Sequence, residues 1–360
     1  MTQEGQHLTF FDVVQKDEFR ESVIKRIRSN TQAKSFSFQT VFPKLYKYRP
    51  LSEYAVADIK GHHLTATSVG CFNDIFDGAI HRYGTEEKRR AAAEQKWQEV
   101  QAIFKKTGMN EEVFSHNSYV AIYEKYFEED ELLKFRALEF LATYVVCLST
   151  KKDSILMWSH YADSQKGICI EYDFNQWNIE SLQRKILFPV LYTDEPVNTS
   201  DLFDKEAHNI SKYPVDEAVL CAAINKASVW SYENEWRMVY VMLTPDSKNP
   251  RMSVDVSVQP TAIYLGYHFL KTFFYYDNTD KKEYERANKN LLTFNELMDF
   301  VVRNKIPLYL MCPTIGRYQL NSVTLDANQL ANLIAEHVNE PQEMRYYHTV
   351  HDMLIRTIPT

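Results

Sequence analysis

The chain has 360 residues, 45% of them hydrophobic and 25% charged, enough to bury one large core or two smaller ones and too apolar for a disordered chain. A formal net charge of −7 argues against broad electrostatic capture of nucleic acid and leaves room only for a local basic groove. Nine glycines, with no GxGxxG and no GxxxxGK[ST], argue against a nucleotide held by a glycine-rich phosphate loop.

Residues 1–40 read as an N-terminal arm, with a short helix around Phe19 to Ile27. The segment SFSFQTVFPKLYKYR (35–49) alternates and ends in the strand-like LYKYR, where Pro50 holds Arg49 in extended geometry. Leu51 to Ile59 reads as a helix capped by Ser52. HHLTATSVG follows as a strand and FNDIFDG as a turn-rich loop, in which Asn73, Asp74 and Asp77 build turns more readily than a metal cage. From residue 86 to 142 apolar residues recur every three to four positions, predicting two or three helices divided at Gly108 to Asn110 and forming a helical insertion.

YVVCLST (144–150) is a buried-strand candidate ending in Ser149 and Thr150, hydroxyls that cap the following helix or face a ligand. SILMWSHY (154–161) predicts a short helix, stopped at Gly167. GICIEYDF (167–174) and ILFPVLYT (186–193) read as strands, the second marked as edge or bulge by Pro189. Residues 200–228 read as largely helical, and EWRMVYVML (235–243), RMSVDVSV (251–258) and AIYLGYHF (262–269) as strands. A helix over 280–304, strands at 307–314 and 318–325, and helices from Asp326 to Arg356 complete the chain. Helices and strands mix without βαβ alternation, which predicts an α+β class: a main domain over 41–270 and a C-terminal extension over 271–360 packed on it. Five scattered cysteines fit free thiols in a reducing cytoplasm. The polar N-terminus does not read as a signal peptide, and no apolar run reaches the roughly 20 residues that span a bilayer, so no membrane is expected.

The richest segment is SVWSYENEWRM (228–238), with Glu233 and Glu235 two apart between Tyr232 and Trp236, and Arg237 next. The following VYVML predicts a strand, on which side chains two apart share a face. Two carboxylates on one face must be paired, hydrated or used, and their proximity pushes at least one pKa upward. That suits proton handling or stabilisation of a cation. The plain alternative is a solvated strand edge with Arg237 as surface partner. Trp158 and Tyr161 read as core or as a ligand wall, His160 as an ordinary hydrogen-bonded histidine or a ligand contact. Arg49 suits a phosphate or carboxylate grip, or plain surface. Two other readings stay open: a noncatalytic binding module with an aromatic groove, and a metal-dependent nuclease using Asp74, Asp77, Glu171 and Asp173.

The ordered strings LYKYRPL, FNDIFDG, CLST, LMWSHYAD, KGICIEYD and WSYENEWR, from Leu45 to Gly266, resemble a bacterial family known as domain of unknown function 2971. Arg49, then Ser149 and Thr150, then Glu233-Asn234-Glu235 also resemble, more remotely, the Arg, Ser-Thr-Ser and Glu-x-Glu trio of ADP-ribosyltransferases, with Lys151 where the third hydroxyl stands. That resemblance implies a mixed, split β-sheet core with NAD as substrate in a cleft between two sheets, and no metal. Arg49 would hold the pyrophosphate or the adenosine-side ribose. Ser149 would support the nicotinamide ribose and Thr150 steady the strand. Tyr161 or Trp158 would stack on nicotinamide, and Tyr48 and His160 join the NAD-binding set. Glu235 would bind the ribose 2′-hydroxyl and stabilise the oxocarbenium-like cation, while Glu233 orients or deprotonates the acceptor. The implied partners are a macromolecular acceptor, protein or nucleic acid, and an antitoxin or partner protein in toxin–antitoxin or phage-defence conflict.

Overall fold

The computed structural model of the chain describes residues 9–30, 36–38, 41–74, 76–78, 80–81, 143–178, 180–195, 197–199, 202, 212–242, 249–274, 281–338, 340 and 348, with residues 90, 94, 97–98, 100–102, 104–106 and 116. Those between 90 and 116 are helical, and the rest of the expected 86–142 insertion lies outside the described residues. So do most of 200–211 and the chain toward Arg356. No helix among the described residues is long and apolar enough to cross a membrane.

The helices are α1 (Phe10–Val13), α2 (Asp17–Asn30), α3 (Glu53–Gly61), α4 (Ile155–Tyr161), α5 (Leu182–Lys185), α6 (Pro214–Ile224), α7 (Lys271–Phe274), α8 (Lys281–Arg303) and α9 (Ala327–His337). The strands are β1 (Leu45–Arg49), β2 (His63–Ser68), β3 (Ile80–His81), β4 (Thr143–Ser149), β5 (Ile168–Tyr172), β6 (Leu187–Pro189), β7 (Leu191–Thr193), β8 (Val197–Asn198), β9 (Asn225–Ala227), β10 (Glu235–Val241), β11 (Arg251–Asp255), β12 (Ala262–Leu265), β13 (Leu308–Pro313) and β14 (Leu320–Leu325). Ser52 caps α3 as expected, accepting from the Ala55 amide. Ser149 and Thr150 do not cap α4; Ser154 does, accepting from the Met157 amide.

Ten strands form one sheet in the order β11-β2-β4-β1-β5-β12-β13-β14, with β10 on β4 and β6 on β10. The sheet is mostly antiparallel, with β12 and β13 parallel, so the class is mixed α+β. β4 is the fork. One edge pairs with all of β10, from Glu235↔Ser149 to Val241↔Thr143. Its other edge takes β2 near its start (Thr67↔Val145) and β1 at its end (Tyr46↔Ser149). Lys47 reaches into the gap and donates to the Cys147 carbonyl at 2.9 Å. Arg49 ties the two prongs together through Asp58 on α3, which also accepts from Thr65 on β2 at 2.7 Å.

One sheet face carries the main core. Leu45, Val146, Leu148, Ile170, Trp236, Met238 and Ile263 pack there with Phe294, Leu297 and Leu333 of α8 and α9. The opposite face is covered in two blocks. Val145 and Val239 lie under α2 and α6, with Phe19, Ile27, Leu220 and Ile224. Tyr46, Tyr48, Cys169 and Tyr264 lie under Met157 and Trp158 of α4. The candidate site opens between these blocks.

Two strand expectations and one helix expectation shorten or break for local reasons. ILFPVLYT divides into β6, which pairs with β10 and whose edge the Val190 amide extends to the Glu235 carbonyl at 2.9 Å, and β7, which pairs with β9. Asn225 to Ala227 leave the expected helix and pair in parallel with β7. AIYLGYHF stops at Leu265, where Gly266 meets the turn after α4. That turn places Asp163, Ser164 and Gln165 at φ 47°, 55° and 69°, three successive left-handed residues without glycine. The Gly266 amide donates to the Gly167 carbonyl at 3.0 Å, and a Cβ on Gly266 would stand 2.1 Å from the Gln165 carbonyl oxygen. Gly266→Ala should therefore cost on the order of 3 kcal/mol in chemical denaturation. An unfolding midpoint equal to wild type would show that this junction yields freely.

Candidate functional site

A cavity of about 120 Å³ lies at the fork, walled by Tyr46 and Tyr48 of β1, Met157 and Tyr161 of α4, and Phe72 and Asn73 of the loop after β2. Its floor is ionic. Cys147, Ser149, Glu235 and Arg237 project from one face of the β4–β10 pair, because Ser149 stands opposite Glu235 and Cys147 opposite Arg237. Asp77, Lys226 and Glu233 complete the lining.

Arg237 is fully buried, with 0% of its side chain exposed. Nε and Nη2 grip Glu235 at 2.9 and 3.0 Å, while Nη1 and Nη2 grip Asp77 at 2.7 and 2.6 Å. Nη1 also donates to the Ala223 carbonyl at 2.7 Å, so all five guanidinium donors are used. Of the two readings of this stretch, the solvated edge with a surface arginine fails: Arg237 is the anchor of the site. Lys226 donates to Glu233 and to Glu235, the latter at 3.2 Å, and lies 3.7 Å from Asp77. Three carboxylates thus face two cations. Burial disfavours the Glu235 carboxylate, but Arg237 and Lys226 outweigh it and hold the group down to about 2. For Glu233 burial dominates, Lys226 opposes it and Glu235 adds to it, so its pKa is raised. Two neighbouring carboxyls are thereby driven apart, the pattern that separates acid–base roles.

The local geometry departs from a simple strand. Glu233 ends a 3-10 turn (Ser228–Glu233), Asn234 is left-handed at φ 46°, and only Glu235 lies on β10. Asparagine tolerates that conformation, and it swings both carboxylates onto Lys226. The turn is pinned from β4: the Ser149 hydroxyl donates to the Glu233 carbonyl at 2.6 Å, and the Thr150 amide donates to the Asn234 carbonyl at 3.0 Å. Tyr192 accepts from the Glu235 amide at 2.8 Å. Tyr161 donates to Glu233 at 2.6 Å from the cavity wall.

Of the sequence candidates, the fork brings Tyr48, Ser149, Tyr161, Glu233 and Glu235 to one cavity. Thr150 stands behind it as a backbone brace. Arg49 is not in the lining; its guanidinium is engaged by Asp58 on the α3 side. Trp158 is fully buried and donates its indole N–H to the Lys152 carbonyl at 2.8 Å, so it packs under the wall rather than facing a ligand. His160 lies 3.2 Å from the Tyr232 hydroxyl, outside the lining. Asp74 accepts from the Phe76 amide at 2.9 Å, as a turn residue should. Glu171 is bound by Lys44, Thr261 and Tyr264, and Asp173 caps the next turn, so the four nuclease candidates do not form one cluster. Sequence reading missed the roles of Lys226 and Asp77. The available signals were a lysine inside the apolar run VLCAAINKASVW and an aspartate directly after Phe76.

The model of a family described as "Protein of unknown function (DUF2971)" matches residues 157–238, a segment that carries all of α4 but its first two residues, the 3-10 turn, both glutamates and Arg237. No curated protein and no solved structure matches the chain.

Proposed function

We propose that the chain cleaves the nicotinamide–ribose bond of NAD and passes ADP-ribose to an acceptor, with Glu233 as the working carboxylate. The observation that carries this reading is the cavity floor, where three carboxylates face Lys226 and Arg237 beneath tyrosine walls. Such a floor favours a cationic planar group, by charge and by cation–π attraction. Nicotinamide in NAD is such a group, and an oxocarbenium-like transition state is another. About 120 Å³ suits one ring and leaves the rest of the dinucleotide outside.

In this scheme the C1′–N bond breaks and nicotinamide departs with the bonding pair. The acceptor's nucleophile attacks C1′, and its proton passes to Glu233. Tyr161 orients that carboxylate. Glu235, expected from resemblance to stabilise the cation directly, does so from within its Arg237 clamp, as a fixed charge. Ser149 and Thr150 hold the turn, and Arg49 holds the fork. A protein side chain, a nucleic-acid base or water fits as acceptor, and a toxin or phage-defence setting in the bacterial cytoplasm, with an antitoxin as partner, follows by analogy.

The test is incubation of the full chain with NAD, with and without cell lysate, following free nicotinamide by chromatography. Release in either condition is the expected result. No release, together with no thermal stabilisation by NAD, would overturn the reading. The second reading is a noncatalytic receptor for a small aromatic cation. It is favoured by the fact that Asp77 and Glu235 already accept on both oxygens. Stabilisation by NAD without any release would support it.

A further inference from the structure

A second polar cluster stands at the end of α9, formed by three side chains. His337 closes α9, and its Nδ1 lies 2.9 Å from one oxygen of Glu340. His348 brings its Nδ1 to 3.2 Å from the other oxygen. The imidazole rings lie 5.8 Å apart at 65°, so they approach the carboxylate from different directions. One ligand atom from each residue falls within 4.8 Å of the others.

We propose that His337, Glu340 and His348 bind one divalent transition-metal ion, with zinc as the first candidate. Two imidazole nitrogens and a carboxylate are zinc's own ligand types, and three protein ligands leave a position for water. Magnesium and calcium require mostly oxygen donors, so this set selects against them. The helix supplies a second favourable element, because the last carbonyls of α9 carry partial negative charge that a cation at this end neutralises. The side chains are 13%, 29% and 37% exposed, which lets an ion enter while the helix holds one ligand in place. Leu330, Leu333 and Ile334 fix that helix in the main core. The ion would therefore tie Glu340 and His348 to the end of α9. The alternative is a metal-free His–Glu–His ion pair. The inference is independent of the chemistry at the cavity.

Calorimetric titration of the metal-free full chain with Zn²⁺ should show one equivalent bound, with no competition from Mg²⁺. Co²⁺ should give the visible absorption of a four-coordinate site. Glu340→Gln and His348→Gln should each weaken zinc by on the order of 100-fold. Both positions are part-exposed, and thermal unfolding of the metal-free variants checks that they fold as wild type does; if one fails, the other decides. Absence of zinc binding to wild type would overturn the proposal. So would unchanged affinity in both variants, which would send the ion to another of the 11 histidines or five cysteines.

Discussion

Arg237→Met should cost about 3–5 kcal/mol of folding stability at neutral pH, the largest single effect expected in this chain. The methionine fills much of the space but leaves Glu235 and Asp77 buried against Lys226 alone. A pKa held from 4.5 down to about 2 gives the scale, since each unit is worth about 1.4 kcal/mol. The sign with pH follows from that depression. In wild type, the stability contributed by Glu235 is present above pH 4.5 and is lost as pH falls from there toward 2. In the variant, burial without the guanidinium raises the Glu235 pKa, so its protonation relieves the folded state in the same acid range. Urea denaturation at several pH values should therefore show the gap between variant and wild type narrowing below pH 5. A double-mutant cycle adds a second check: Asp77→Asn should cost less in the Arg237→Met background than alone. A constant gap of under about 1 kcal/mol would mean that the clamp adds little to the fold.

Glu233→Gln should lower nicotinamide release by on the order of 10²–10⁴-fold, the scale of a lost acid–base group or charge stabiliser, while leaving the fold intact. Glutamine keeps one oxygen to accept from Lys226 and turns its amide N–H toward the Tyr161 hydroxyl oxygen, so unfolding free energy at pH 7 should change by only about 1 kcal/mol. Because the Glu233 pKa is raised, the wild-type rate should climb with pH along a limb above the usual carboxylate range, as the base form appears. That limb should vanish in the variant. Glu235→Gln should behave differently, losing stability together with rate, because it weakens the Arg237 clamp. Full activity of Glu233→Gln, or a limb that survives in it, would remove Glu233 from the reaction.

The division between what was legible and what was not follows residue by residue. The LYKYR strand, the Ser52-capped helix, the buried YVVCLS strand and the SILMWSHY helix all appear close to their expected bounds, since each carries its own periodicity or cap. ILFPVLYT kept its edge proline but broke in two, because Leu187 to Val190 bond to β10 while Leu191 to Thr193 pair with β9. For the site, the spacing of Glu233 and Glu235 announced coupled carboxyls, and the structure drives their pKa values in opposite directions. It could not announce which carboxyl would be clamped.

Sequence by itself determined the mixed α+β class, most of the described element types and the meeting of two carboxylates with aromatic side chains, because these depend on neighbours within a few residues. Only tertiary structure decided that Arg237 is an anchor, that Asp77 and Lys226 belong with it, and that Arg49 serves Asp58 rather than the cavity. Asp77 is 160 positions from Arg237, and their pairing exists only because β4 and β10 place Arg237 beneath the loop that carries Asp77. A buried charge takes whichever opposite charge the fold delivers, and that choice is made by strand pairing across the whole chain.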